Sequence, residues 1–214
     1  IGRVIAAMRA TGKPEDTMIV YIQGDNGSSA EGGINGLLFE QSQINASDER
    51  LAYQLSRIDE IGGKTLYNTY PAGWGWAMNT PFQWYKRVSS HFGGVRNGLV
   101  ISWPGHVSDG NVVRGQFHHV SDIMPTLLEA AHVAPPKKVD GVAQQPLDGI
   151  SMAYSFTQPR APSRRTVQPF EMMESMGLYE KGWMLSATPV VVPWKPAATA
   201  AVPLAERRWE LYHV

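Results

Sequence analysis

Thr17 to Gly36, TMIVYIQGDNGSSAEGGING, constrains this chain more than any other stretch. Met18 to Ile22 is a short apolar run and reads as a buried strand. It breaks at Gly24-Asp25-Asn26-Gly27 and passes into a small, glycine-rich loop, Ser28 to Gly36. Asp25 and Asn26 therefore fall at a strand's carboxyl end, the edge where open α/β sheets bind ligands. Both side chains offer hard oxygen donors, which suit Ca²⁺ or Mg²⁺ rather than zinc. The flanking glycines let the backbone turn sharply and approach closely. Asp-Asn-Gly is also a common turn sequence. The strand before it and the glycine-rich run after it add weight to the cation site, and the plain turn stays the alternative.

The rest of the chain alternates in the way such a site requires. Ile1, Val4, Ile5 and Met8 have helical spacing, and Gly12 ends that helix. Ser47 is placed to cap a helix carrying Leu51, Leu55 and Ile58, closed by Gly62-Gly63. Residues 62–97, rich in Gly, Pro, Trp and Tyr, read as irregular, and a loop that long is usually functional. Leu99 to Trp103 reads as a second buried strand, stopped by Pro104-Gly105. Ser121 or Asp122 caps a helix over about 122–132, with Pro125 in its first turn, where a missing N–H is tolerated. Strand and helix in alternation predict an α/β domain with a mainly parallel sheet and flanking helices. After about Pro135 the character changes. Short strand-like runs at Thr166–Met172, Trp183–Ala187 and Arg208–Tyr212 predict a smaller antiparallel α+β subdomain. The expected boundaries are residues 1–135 and 136–214.

Composition excludes several classes of function. With 43% apolar and 18% charged residues, the chain can bury a core. The 19 Lys and Arg balance the 19 Asp and Glu, so no net charge draws it to nucleic acid or an anionic membrane. No apolar run approaches the roughly 18 residues of a membrane span. There is no cysteine, so no disulfide forms within these residues, and the compartment stays open.

The segment DNGSSAEGGING resembles the second metal-binding segment of the type I sulfatases, members of the alkaline-phosphatase-like superfamily. The likeness continues through TPFQWYKRVSSHFGGVRNGLVISWPG, HHVSDIMPTLLEAA, LDGISM, QPFEMMESMGLYEKGW and WELYHV, in the expected order. It covers nearly the whole chain and is strongest toward the bacterial arylsulfatases. It implies hydrolysis of a sulfate ester, with Ca²⁺ or Mg²⁺ held in part by Asp25 and Asn26. Asp25 then also assists catalysis by helping to deprotonate the aldehyde hydrate. Lys86, shortly before Gly93-Gly94, is implied as the clamp on the sulfate oxygens, with Arg87 the adjacent alternative. His91 is a candidate donor to the sulfate or the leaving-group oxygen.

The same resemblance marks what these residues lack. The family's nucleophile is a formylglycine made from Cys or Ser in a C/S-x-P-S/A-R segment. The near match Arg160-Ala161-Pro162-Ser163-Arg164 has Arg at the convertible position and lies far too late. The nucleophile and two further metal-binding aspartates are expected in sequence preceding Ile1, so the 214 residues alone are expected to be inert. The uncovered sheet is then expected to promote self-association. Other residues weigh less. His118 and His119, without further ligands, read as structural. Glu171 and Glu174 stand too close together for an acid/base pair. Trp74, Trp76, Trp84 and Tyr85 suit either an aryl-binding wall or the core. A phosphate or phosphonate ester hydrolase of the same superfamily, or a non-catalytic relative, is the competing reading.

Overall fold

The computed structural model describes residues 1–24, 26–45, 47, 49–187, 192, 194 and 202–214. The chain opens with α1 (Gly2–Ala10), β1 (Ile19–Gln23), α2 (Gln41–Ile44) and α3 (Leu51–Ser56). There follow α4 (Ala72–Asn79), α5 (Phe92–Val95), β2 (Gly98–Ser102) and α6 (Ile123–Ala130). The remainder holds β3 (Lys138–Val139), β4 (Val142–Ala143), α7 (Tyr154–Thr157), β5 (Val167–Met172), β6 (Ser175–Glu180), β7 (Trp183–Ala187) and β8 (Trp209–His213). These elements divide between two compact units, one of Ile1–Ile22 with Leu99–Gln168, the other of Gln23–Gly98 with Pro169–Val214.

In the first unit β1 and β2 pair as a two-stranded sheet. Val20 and Ile101 from these strands line a narrow apolar gap with Ile123, Leu127 and Met152. A broad parallel sheet is not seen among the described residues, whose sheets have two, two and four strands. Both strands are also less buried than their apolar runs suggest. β1 is half-buried only over its first three residues, and β2 leaves Leu99 and Val100 exposed. The residues of β3 and β4 form a small antiparallel hairpin.

The entry to α6 is held by a buried charge. A 3₁₀ turn, Val120–Asp122, leads into the helix. Its capping side chain is that of His119, not Ser121 or Asp122. His119 Nδ1 accepts from the Ser121 N–H at 3.3 Å, and Asp122 Oδ2 accepts from the His119 N–H at 2.9 Å. Imidazole serves here because its acceptor nitrogen lies where a Ser or Asp oxygen usually does. Asp122 is wholly buried, takes the Ile150 N–H at 2.7 Å, and forms a forked ion pair with Arg165. Burial alone would raise the Asp122 carboxyl, but the Arg165 donors and the two amides outweigh it and hold it below its ordinary range. Both histidines are pushed down, chiefly by burial.

In the second unit the strands β5-β6-β7-β8 form one sheet, with β7 antiparallel to both β6 and β8. Tyr179, Met184 and Ala187 are buried on it. The loop before α5 lies against this sheet. Ser89 Oγ donates to Ser175 O at 2.6 Å, and the Ser90 N–H donates to Ser175 Oγ at 3.0 Å.

Candidate sulfuryl-binding site

The turn after β1 and the loop holding Lys86 are joined backbone to backbone within the second unit. β1 ends at Gln23, as the apolar run predicts. Asp25, the expected metal ligand and catalytic group, lies outside the described residues. Asn26 is half-buried, and its Oδ1 is buried with no hydrogen-bond partner among the described residues. A buried amide oxygen left unpaired is costly, so such an atom is a ready donor for a cation. Asn26 Oδ1 is thus the kind of oxygen donor that a hard divalent cation takes. Among the described residues no cluster of three or more His, Cys, Asp or Glu is arranged to hold a metal.

Several contacts fix the turn. Gly27 has a positive φ of 81°, and a Cβ there would lie 1.9 Å from Gly93 O. Gly27 must therefore lack a side chain for the two backbones to approach, whereas a Cβ on Gly93 or Gly94 would meet Gln83 O at 2.2 Å or Val88 O at 2.1 Å within their own loop. The Ser28 N–H donates to Asn79 Oδ1 at 3.0 Å, and Ser28 Oγ to Gly75 O at 2.6 Å, both from α4. The Lys86 N–H donates to Ser28 O at 3.0 Å. Asn79 Nδ2 reaches on to Trp84 O at 2.8 Å. Beneath the loop, Ala30, Ala72 and Tyr85 form a buried cluster flanked by Trp84. Tyr85 is therefore core, whereas Trp74 and Trp76 stay exposed.

Lys86 and Arg87 point their charges at one carboxylate. Lys86 Nζ lies 3.8 Å from Glu31 Oε2, and Arg87 Nη1 lies 3.6 Å from Glu31 Oε1. All three side chains are partly exposed. Arg87 adopts a positive φ of 76° and Trp84 one of 69°, uncommon for bulky residues and frequent at ligand clamps. Sequence reasoning missed Glu31. Its place inside the glycine-rich run was visible, but nothing in the spacing ties it to residues 86 and 87.

His91 is placed differently from a surface donor. It is 4% exposed, with Nδ1 2.8 Å from Ser90 Oγ and Nε2 3.5 Å from Glu210 Oε2. Its ring meets Trp84 and Tyr212. Burial pushes its pKa down, and Glu210 only partly opposes this. Glu210 in turn accepts from Tyr212 Oη at 2.5 Å. A direct bond from His91 to a ligand would require one of its two present partners to be released. The Glu174 N–H donates to Glu171 Oε1 at 3.2 Å, while the Glu174 carboxylate pairs with Arg207 Nη2 at 3.2 Å.

A family model described as Sulfatase matches residues 1–133. The chain is 26% identical over 153 residues to the arylsulfatase of Klebsiella aerogenes, covering 72% of this chain and 31% of that protein. It is 28% identical over 139 residues to an uncharacterised sulfatase of Schizosaccharomyces pombe, covering 64% of this chain and 23% of that protein. The chain thus spans less than a third of the length of either relative. An α/β fold of the alkaline-phosphatase-like kind goes with that match. With the turn, the glycine pair and the two cations assembled in one compact unit, and more than half of its residues matched, the chain belongs to the sulfatase family.

Proposed function

We propose that this chain is the part of a sulfuric ester hydrolase, arylsulfatase-like in substrate, that closes the metal and sulfuryl side of the site. The observation carrying this reading is the buried Asn26 Oδ1, unpaired among the described residues, on a turn bonded directly to the backbone of Lys86. Asp25 and Asn26 would hold a Ca²⁺ or Mg²⁺ ion, whose charge would offset that of the sulfuryl oxygens. Lys86, as a compact cation with three donors, binds those oxygens and keeps the sulfur facing its attacker. His91, held between Ser90 and Glu210, orients the loop that carries Lys86 and is the candidate second polar contact to substrate. No C/S-x-P-S/A-R segment that could yield a formylglycine stands in these residues, whose near match carries Arg160 at the convertible position. We assign that nucleophile to sequence preceding Ile1, and read β1 and β2 as part of a larger, mainly parallel sheet.

The test is single-turnover and steady-state hydrolysis of p-nitrophenyl sulfate by the nucleophile-bearing protein that contains this chain. Lys86→Ala is expected to lower kcat by about a hundredfold or more, the usual cost of losing one such donor. Arg87→Ala should do much less. The reverse ranking would assign the clamp to Arg87, and no effect from either would place sulfuryl binding away from this loop.

A further inference from the structure

We infer that Glu31 is a specificity-determining residue that biases the site toward singly charged esters, an inference that rests on the sulfuryl-binding reading of Lys86. Each oxygen of the Glu31 carboxylate faces a different cation, Oε2 toward Lys86 at 3.8 Å and Oε1 toward Arg87 at 3.6 Å. The carboxylate is held in that position locally. Ser29 Oγ donates to Oε2 at 3.0 Å and also accepts the Glu31 N–H at 3.1 Å. Ser29 itself is tied down, its N–H donating to Tyr70 Oη at 2.9 Å. The Lys86 amine is thus not a bare positive centre. It shares its charge with a carboxylate fixed on the same loop that begins at the metal-binding turn.

That arrangement affects the two chemically similar ester classes unequally. A sulfate monoester carries one negative charge. A phosphate monoester carries close to two at mildly alkaline pH, since its second pKa is about 6. Any anion bound against Lys86 lies within a few ångströms of the Glu31 carboxylate and is repelled in proportion to its own charge. One extra unit charge at such a distance, partly screened, is worth on the order of tenfold in affinity. The cations attract both esters, while Glu31 subtracts more from the dianion. A neutral residue at position 31 removes the penalty and leaves Lys86 and Arg87 in place. Discrimination between otherwise similar ligands often rests on such a repulsive element.

The experiment titrates this chain and its Glu31→Gln, Glu31→Asp and Lys86→Ala variants with phenyl sulfate and phenyl phosphate at mildly alkaline pH. Binding is followed by amide chemical shifts of the 26–31 and 84–94 segments, and thermal melts check folding. Gln keeps the acceptor for Ser29. Wild type and Glu31→Asp are expected to favour the sulfate, and Glu31→Gln to narrow that preference by about tenfold, through tighter phosphate binding. Lys86→Ala should weaken both esters. If Lys86→Ala weakens both but Glu31→Gln leaves the preference unchanged or widens it, the inference fails and the sulfuryl site stands. If wild type binds neither ester, or Lys86→Ala changes neither, the site reading fails and the inference falls with it.

Discussion

At the scale of single residues, Asp122 shows how much one buried charge can hold. Its carboxylate accepts from Arg165, Ile150 and His119 at once. Removing one partner of a buried ion pair strands the other, so Asp122→Asn is expected to cost about 3 to 5 kcal/mol. Urea unfolding at neutral pH measures this directly. The same residue sets an acid limb. Because its pKa is held below the ordinary carboxylate range, its contribution is present above about pH 4 and fades as pH falls through the lower, folded value. The Asn variant should lose part of that acid dependence, and an unchanged acid limb would show that other carboxylates set it. Little of this network was legible in sequence. HHVSD announced a helix start, but Arg165 lies 43 residues away from Asp122 along the chain.

At the scale of elements, α4 is the instructive miss. Residues 72–79, AGWGWAMN, carry two glycines and two tryptophans, so local propensity argues against a helix. Packing decides otherwise. A Cβ on Gly75 would sit 2.6 Å from Ser29 O and 3.2 Å from the Tyr85 ring. Glycine there lets the helix lie directly on the loop that follows the Asn26 turn. Gly73, two residues earlier, has nothing within 4 Å of an added Cβ. The two positions therefore make a controlled pair. Gly73→Ala should stabilise by up to about 1 kcal/mol from helix propensity alone. Gly75→Ala should destabilise by about 1 to 3 kcal/mol, because overpacking outweighs that gain. Shifts of the urea midpoint in opposite directions are the expected result, and two shifts of the same sign would contradict it. The legible elements were those whose signal is local. The apolar run of β1 ends where expected, and β7 matches its predicted span. β6 was not foreseen, because SMGLYE lacks a β-branched run and earns its place by pairing with β7. Lys86 was singled out through a motif, but its nearness to Glu31 is a tertiary fact.

At the scale of the whole molecule, exposed apolar side chains stand out. Val100 on β2 is 61% exposed and Val4 on α1 is 73% exposed, and α1 buries no residue fully. The two-stranded sheet also leaves strand edges that can pair with another chain. The isolated chain is therefore expected to self-associate as concentration rises. Sedimentation velocity checks this, and Val100→Lys should raise the monomer fraction. A single sharp monomer for the wild type at all concentrations would overturn the expectation. The division into interleaved units has a different consequence, one for biosynthesis. The chain crosses between them three times, after residues 22, 98 and 168. The opening helix and strand leave the ribosome well before residues 99–168, with which they share a unit. The loop bearing Lys86 must likewise wait for β6, which supports it, and for Glu210, which braces His91. Neither unit can close while its first half is being translated, so the nascent chain carries unpaired apolar segments through most of its synthesis. A protein wired this way depends on chaperones during elongation more than one whose domains follow each other in order.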